Sequence, residues 1–294
     1  MNRMRLKPAL SAAALLAAAC VQLAGQGAAP ARLTAREVTE RIRKNLNVSW
    51  QEPTVDVFKA GDPDTPVTGI ATTFTASYDV LRRAAASGKN FVISHEPIFY
   101  NHLDETKALK EDPVFTAKMA FIEEHKMVVW RFHDHIHRHH PDNIIEGAID
   151  AMGLKQYRRP GGAPLFTIPE TTVRGLAADL KARMHINCVR VIGDPNMKVT
   201  QVGFEPGAPP AAWQMQMLAQ KNVDVLVAGE AREWETVEYA RDAAGEGMHK
   251  ALIIHCHAAT EEPGMQECAR WLKGFITEVP IEFIPAGEPF WTVQ

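Results

Sequence analysis

Apolar positions along this chain fall into two patterns. Short apolar runs rich in β-branched residues occur at Phe91–Ile93, Val128–Trp130 and Ala251–Ile254, and one interrupted only by Asp224 at Val223–Ala228. Unbroken runs of this length are the mark of strands covered on both faces, as in a parallel sheet. Between them, apolar residues recur every three to four positions and predict helices. These span Arg36–Leu46, Ser77–Ala86, Val114–His125 and Asn143–Met152, then Val173–Met184, Ala211–Gln220, Glu233–Ala243 and Gly264–Phe275. Further strands are expected at Val55–Phe58, Val67–Phe74, Cys188–Ile192, Val199–Phe204 and Ile281–Ile284. Thr34 followed by Glu37 makes a capping box for the first helix. Arg158–Pro164 (RRPGGAP) reads as a linker. On either side of it runs the order strand–strand–helix–strand–helix–strand. The expected fold is α/β, with two similar α/β domains, 34–157 and 165–294.

Three of the buried-strand runs end in the same chemistry. Phe91–Ile93 leads to His95-Glu96-Pro97, Val128–Trp130 to His133-Asp134-His135-Ile136-His137, and Ala251–Ile254 to His255, His257 and Glu261. Ligands in open α/β sheets lie beyond the carboxyl ends of strands. Imidazoles mixed with carboxylates suit Zn, Mn or Fe, and bridging carboxylates suit two ions together. Each group also has a plainer reading, as a buried His beside an exposed Glu or a solvated His-rich loop; His139 and His140 fit that loop best. On an extended chain His133, His135 and His137 would share one face and Asp134 the other. If the turn at His257 is helical, Glu261 four residues on grips the same ion, with His255 in support. Glu230, in Val227–Glu230 (VAGE), is placed to line the cleft. No Gly-rich dinucleotide or P-loop motif and no G-x-S-x-G elbow occurs, and Cys256 lacks a partner to orient a Cys-His nucleophile.

The N-terminus changes the picture of where this chemistry happens. Arg3, Arg5 and Lys7 precede the apolar stretch Ala9–Ala19, and small residues follow. That is the layout of a signal peptide over 1–27, too short for a membrane span of about 18 residues or more. Cleavage near Ala28 or a lipid anchor on Cys20 are the two expected outcomes, in the periplasm or on the bacterial envelope. About 265 residues then remain, enough for two moderate domains, with 29 basic residues against 35 acidic. No basic cluster interleaved with aromatics suggests nucleic acid. The three remaining cysteines, Cys188, Cys256 and Cys268, do not make a disulfide framework.

Taken together, ISHEP, RFHD, VDVLVAGE and HAATEEPGM resemble, in order and spacing, the motifs of the Nif-three-like family, often labelled dinuclear metal centre hexameric protein or type 2 GTP cyclohydrolase I. The resemblance runs from about Leu33 to Gln294. The family's first motif reads I-S-H-H-P, so its first metal-binding His falls on His95 and its second on Glu96. The Asp closing its H-T-N-L-D motif falls on His137, four after His133, with Asp134 as an alternative carboxylate. Its last pair falls on His257 and Glu261 unchanged. The resemblance thus implies a site of two divalent transition ions held by His95, Glu96, His133, Asp134, His137, His257 and Glu261, in a cleft between facing domains. It implies a hexameric ring and a metal-dependent hydrolase of a small molecule, with Glu261 or Asp134 as the catalytic carboxylate. The competing expectation is an exported protein that binds or stores metal without catalysis. Free GTP is scarce outside the cytoplasm, so that substrate is not adopted.

Overall fold

The computed structural model of the chain describes Met1 and residues 33–293. The expected signal peptide and Cys20 lie outside the described residues. Helix α1 (Ala35–Asn45) is held by the anticipated capping box, with Thr34 Oγ1 accepting from the Glu37 amide and the Thr34 amide donating to Glu37 Oε2 at 2.8 Å. Strands β1 (Phe58–Ala60), β2 (Ile70–Thr75), β3 (Phe91–Glu96) and β4 (Val128–Arg131) follow. Helices α2 (Tyr78–Ala86) and α3 (Pro113–Glu124) separate them, and α4 (Asp134–Arg138) and α5 (Asn143–Ala151) come after. The second half comprises β5 (Leu165–Thr172), α6 (Val173–Arg183), β6 (Arg190–Ile192), β7 (Lys198–Glu205) and α7 (Ala211–Ala219). It closes with β8 (Val225–Ala228), α8 (Glu238–Gly245), β9 (Ala251–Ile254), α9 (His257–Leu272) and β10 (Ile281–Phe283).

The ten strands form two five-stranded sheets, β1-β4-β3-β2-β10 and β5-β7-β8-β9-β6. Read from β6, the second sheet runs β6-β9-β8-β7, the same sequence of connections as β1-β4-β3-β2 in the first. In both, the short first strand pairs antiparallel on the edge and the next three are parallel. Both sheets lie in one compact unit, Leu33–Gln294.

The fifth strands differ. Strand β5, an antiparallel edge partner of β7 with a register shift between Thr167 and Thr171, was not expected, because Pro169 breaks its pattern; an edge strand tolerates a residue without an amide donor. Strand β10 comes from the end of the chain, yet it pairs with β2 in the first sheet rather than staying with the second. Sequence order cannot show this. Its apolar Ile281 joins the core around Ile70 there.

The continuous apolar runs are explained by layers on both faces. Phe91 and Ile93 of β3 face a core shared with α1 and α9, and Val92 faces one built with α2 and α3 residues such as Val80, Leu81 and Ile122. In the second sheet Val225 and Val227 pack towards α5 and α6, whereas Leu226 packs towards α7 and α8. Complete burial of Phe91 alone contributes about 2–3 kcal/mol. Helices α5 and α9 meet where Gly147 and Gly264 bring the backbones together; a Cβ on Gly264 would lie 2.3 Å from Ile144 Cα. Helix α9 also begins seven residues before the expected start at Gly264 and runs through Pro263. Proline removes one ladder bond, but the packing of α9 against β2 and α5 outweighs that loss.

Candidate metal centre

The first cluster sits where the carboxyl end of β3 stops at Pro97: His95 is wholly buried. The second is shaped by a buried carboxylate that the sequence reading missed. Asp56 accepts the amides of His133 at 2.6 Å, Asp134 at 2.9 Å and His135 at 2.9 Å. It thereby satisfies the unpaired donors that start a helix, and the segment after His133 is helical, not extended. The expected common face of His133, His135 and His137 is therefore corrected. His133 and His137, four apart, turn together towards His95, with ring centroids 4.8 and 4.9 Å from its ring. His135 points away. Its Nδ1 bonds Asp56 Oδ2 at 2.7 Å, its Nε2 accepts from the Gln51 amide at 3.0 Å, and its ring stacks on Trp50 at 3.6 Å. With both nitrogens engaged it has none for a metal.

The third cluster is the first turn of α9. His257 Nε2 lies 2.9 Å from Glu261 Oε2, as i and i+4 spacing on a helix requires. Across the cleft, His257 Nε2 lies 3.4 Å from Glu96 Oε1, and His95 Nε2 lies 3.2 Å from Glu261 Oε2. Ligand atoms of His95, His133 and His137 fall within 4.8 Å of one another, as do those of His95, Glu96 and Glu261.

Four imidazoles share one device. His95 Nδ1 is 3.1 Å from the Phe132 carbonyl, His133 Nδ1 3.0 Å from Asp134, His137 Nδ1 2.8 Å from Asp142 and His257 Nδ1 3.0 Å from Glu230. Each acceptor holds the proton on Nδ1 and leaves Nε2 aimed inward, the arrangement that orients metal-binding histidines. Asp134 is thus placed behind His133, not in the centre: its other oxygen accepts from Thr54 Oγ1 and the Val55 amide. Asp142, which also caps α5, was not anticipated; its only sequence signal was that cap. Glu230 does line the site, through His257.

Charge in the centre is arranged around two carboxylates. Arg131, fully buried, donates to the His95 carbonyl at 3.2 Å and approaches Glu96 Oε2 at 3.2 Å, which turns Glu96 Oε1 towards His133 and His257. Burial works against the charge on Glu96, yet hydrogen bonds from His133 and His257 overcome it and hold the carboxyl well below its usual range. Glu261 is lowered in the same way, by His95 and His257. Burial opposes charge on His257 as well, but Glu261, Glu230 and Glu96 together raise it to about 12. His133 is raised to about 9 against its burial, by Asp134 and Glu96. Burial dominates at His95, whose pKa is lowered; its Nε2 has no hydrogen-bond partner despite the nearby Glu261 oxygen. A buried, unpaired Nε2 among carboxylates and oriented imidazoles is a donor set that fits divalent transition ions. Gly207 closes one side at φ +66°, where a Cβ would stand 2.2 Å from Glu261 Oε1.

The family model for DUF34/NIF3 (NGG1p interacting factor 3) matches residues 33–289. The chain belongs to this family. Solved DUF34/NIF3-like structures share its fold. The hypothetical protein SA1388 of Staphylococcus aureus is 18% identical, with 89% of this chain and 100% of that one covered and a TM-score of 0.68. A Bacillus cereus protein related to NIF3 is 13% identical over 88% and 99% of the two chains, at a TM-score of 0.69. Reduced HcgD from Methanocaldococcus jannaschii is 16% identical over 85% and 97%, at 0.60. No curated protein matches the chain. Among the described residues no helix is long and apolar enough to cross a membrane.

Proposed function

We propose that this DUF34/NIF3 protein is a metal-dependent hydrolase of a small molecule, using two divalent transition ions (Zn, Mn or Fe) held by His95, Glu96, His133, His137, His257 and Glu261. The observation that carries this reading is the set of four imidazoles, each with Nδ1 engaged from behind and Nε2 turned to one cluster. When bound, such ions supply a Lewis acid and a water of lowered pKa. The remaining work belongs to the chain. Arg131 fixes Glu96, while Asp134 and Asp142 keep His133 and His137 in the ligating tautomer. Glu261, buried between His95 and His257, would hold an ion together with them. Of the carboxylates touching His257, Glu230 is open to solvent, with a side chain 61% exposed, which suits it to exchange protons with substrate or water.

Elemental analysis of purified protein should find close to two transition ions per chain, and hardly any in a His95→Ala, His257→Ala double variant. A panel of small esters, phosphoesters and cyclic amides should show turnover that chelation abolishes and Mn or Zn restores. Two tightly held ions without turnover across that panel would replace catalysis by storage, and metal-free wild type from metal-replete growth would end both readings. Assembly is read from the family resemblance, and export from the charged, apolar and small stretches of the N-terminus. We place the protein outside the cytoplasm as a hexamer. Light scattering reads the assembly. Mass spectrometry of protein from its native host should find a start near Ala28 or a lipidated Cys20; an intact Met1 would refute export.

A further inference from the structure

Cys188 and Cys256 stand beside each other at one end of the second sheet. Strand β6 runs antiparallel to β9, with Arg190 opposite Ile254, Val191 opposite Ile253 and Ile192 opposite Leu252. Each step back along β6 meets a step forward along β9. Two steps beyond Arg190 and Ile254, this register sets Cys188 against Cys256. Side chains two apart on a strand share a face, so both cysteines fall on the face that carries Arg190 and Ile254. The cavity wall agrees, since Cys188, Arg190 and Cys256 line the same cavity. The ladder itself ends at Arg190, because the Cys188 amide bonds Glu288 Oε1 at 2.9 Å. The chains stay together past that point, where Val189 packs on the apolar cluster of Cys256, Phe74 and Ile186.

Opposed residues of an antiparallel pair stand roughly 4.5–5.5 Å apart at Cα, inside the span of about 4.4–6.8 Å that a disulfide bridges. Both side chains carry free thiols. Cys268 does not compete for either. It lies twelve positions along α9 from Cys256, about 18 Å by the rise of a helix, and is buried in the core of the first sheet. Access to the pair is one-sided. Cys256 is only 6% exposed, whereas Cys188 is half-buried on the cavity wall. An oxidant therefore has to reach Cys188 alone, and the second step happens within the chain.

We infer that Cys188 and Cys256 are a cross-strand thiol pair that a disulfide oxidant closes into one disulfide, stapling the start of α9 to β6. The Cys188 sulfur attacks one sulfur of the oxidant and releases its first thiol. The Cys256 sulfur then attacks the mixed disulfide, which forms the Cys188–Cys256 bond and releases the second thiol. Two electrons and two protons pass from the cysteines to the oxidant. The bond joins residues 68 positions apart. The first turn of α9 carries His257 and Glu261, so the staple ties the third cluster of the metal centre to an edge strand of only three residues. Closure in the cell rests on the export reading, since oxidising compartments sustain disulfides. The capacity of the pair to close does not, and it requires no ion.

The test incubates reduced full-length protein with glutathione disulfide, digests it without reduction and maps the peptides by mass spectrometry. Wild type should yield one linked pair, Cys188 with Cys256, which dithiothreitol separates. Cys268→Ser should yield the same pair, and Cys188→Ser should yield none. The urea midpoint of wild type should rise on oxidation, because closing so long a loop restricts the unfolded chain; that of Cys188→Ser should stay where it was. Folded wild type in which Cys188 and Cys256 remain thiols, or in which Cys188 stops at the glutathione adduct, would overturn the inference. Linkage of either residue to Cys20 or Cys268 would overturn it too, and a linked protein with an unraised midpoint would refute the staple. If purified protein closes the pair but protein from the native host carries both thiols free, export is refuted and the pair stands.

Discussion

Replacing Gly207 with alanine perturbs the metal centre without touching a ligand. At φ +66° an alanine carries the left-handed cost of about 1–2 kcal/mol. Its Cβ would also fall 2.2 Å from Glu261 Oε1 and 3.2 Å from His257 Nε2, so the carboxylate must swing away. Glu261 then loses its bond to the charged His257, worth about 1.5–3 kcal/mol, and the expected total is about 2.5–5 kcal/mol. Gly88 provides the control, with φ +74° and nothing within 4 Å of a Cβ; Gly88→Ala should cost only the conformational part. Urea unfolding of chelator-treated chains, read as midpoint at constant slope, gives both values, and elemental analysis gives ion content. Gly207→Ala should exceed Gly88→Ala by about 1.5–3 kcal/mol and lose at least one ion per chain. Equal destabilisation of the two variants, or two ions retained by Gly207→Ala, would refute the placement of Glu261 in the centre.

Three further outcomes follow from the same geometry. His135→Ala should unfold about 1.5–3 kcal/mol more easily, because buried Asp56 loses a charge-assisted partner, yet keep its metal, whereas His137→Ala should lose an ion; urea midpoints and elemental analysis separate the two roles. Burial pushes the Cys268 thiol up to about 12 and raises Cys256, so a thiol reagent should label the half-buried Cys188 on the native protein and the other two only after unfolding. Burial lowers Lys118 to about 8, below an unfolded value of about 10.4. The unfolded chain therefore holds the extra proton between these values, and stability rises with pH across that window; Lys118→Met should lose that rise, and an unchanged slope in urea midpoints from pH 8 to 10 would contradict it.

The legible parts of this protein are those set by neighbours in sequence. Unbroken apolar runs such as Phe91–Ile93 declared strands covered on both faces, since no alternating pattern could satisfy two cores. The Thr34–Glu37 capping box and the His257–Glu261 spacing are helix geometry, which depends only on residues three and four apart. For the same reason His95, Glu96, His257 and Glu261 could be singled out from strand ends alone, and they do come together.

Tertiary structure decided the rest. Whether His133–His137 was extended or helical depended on Asp56, a residue nearly eighty positions earlier whose carboxylate collects three amides. That one contact sent His135 to Trp50 and turned His133 and His137 inward, and it left Asp134 behind His133 rather than in the centre. Arg131 matters through Glu96 on the neighbouring strand and Gly207 through the room it leaves for Glu261, which no local pattern marks; Asp142 gave one local signal, the cap of α5, and none of its bond to His137. Strand β10 joined the first sheet, beside β2, a partner that chain order does not indicate. Local spacing determined which side chains could act as a pair; only packing across the two sheets determined which of those pairs face one another.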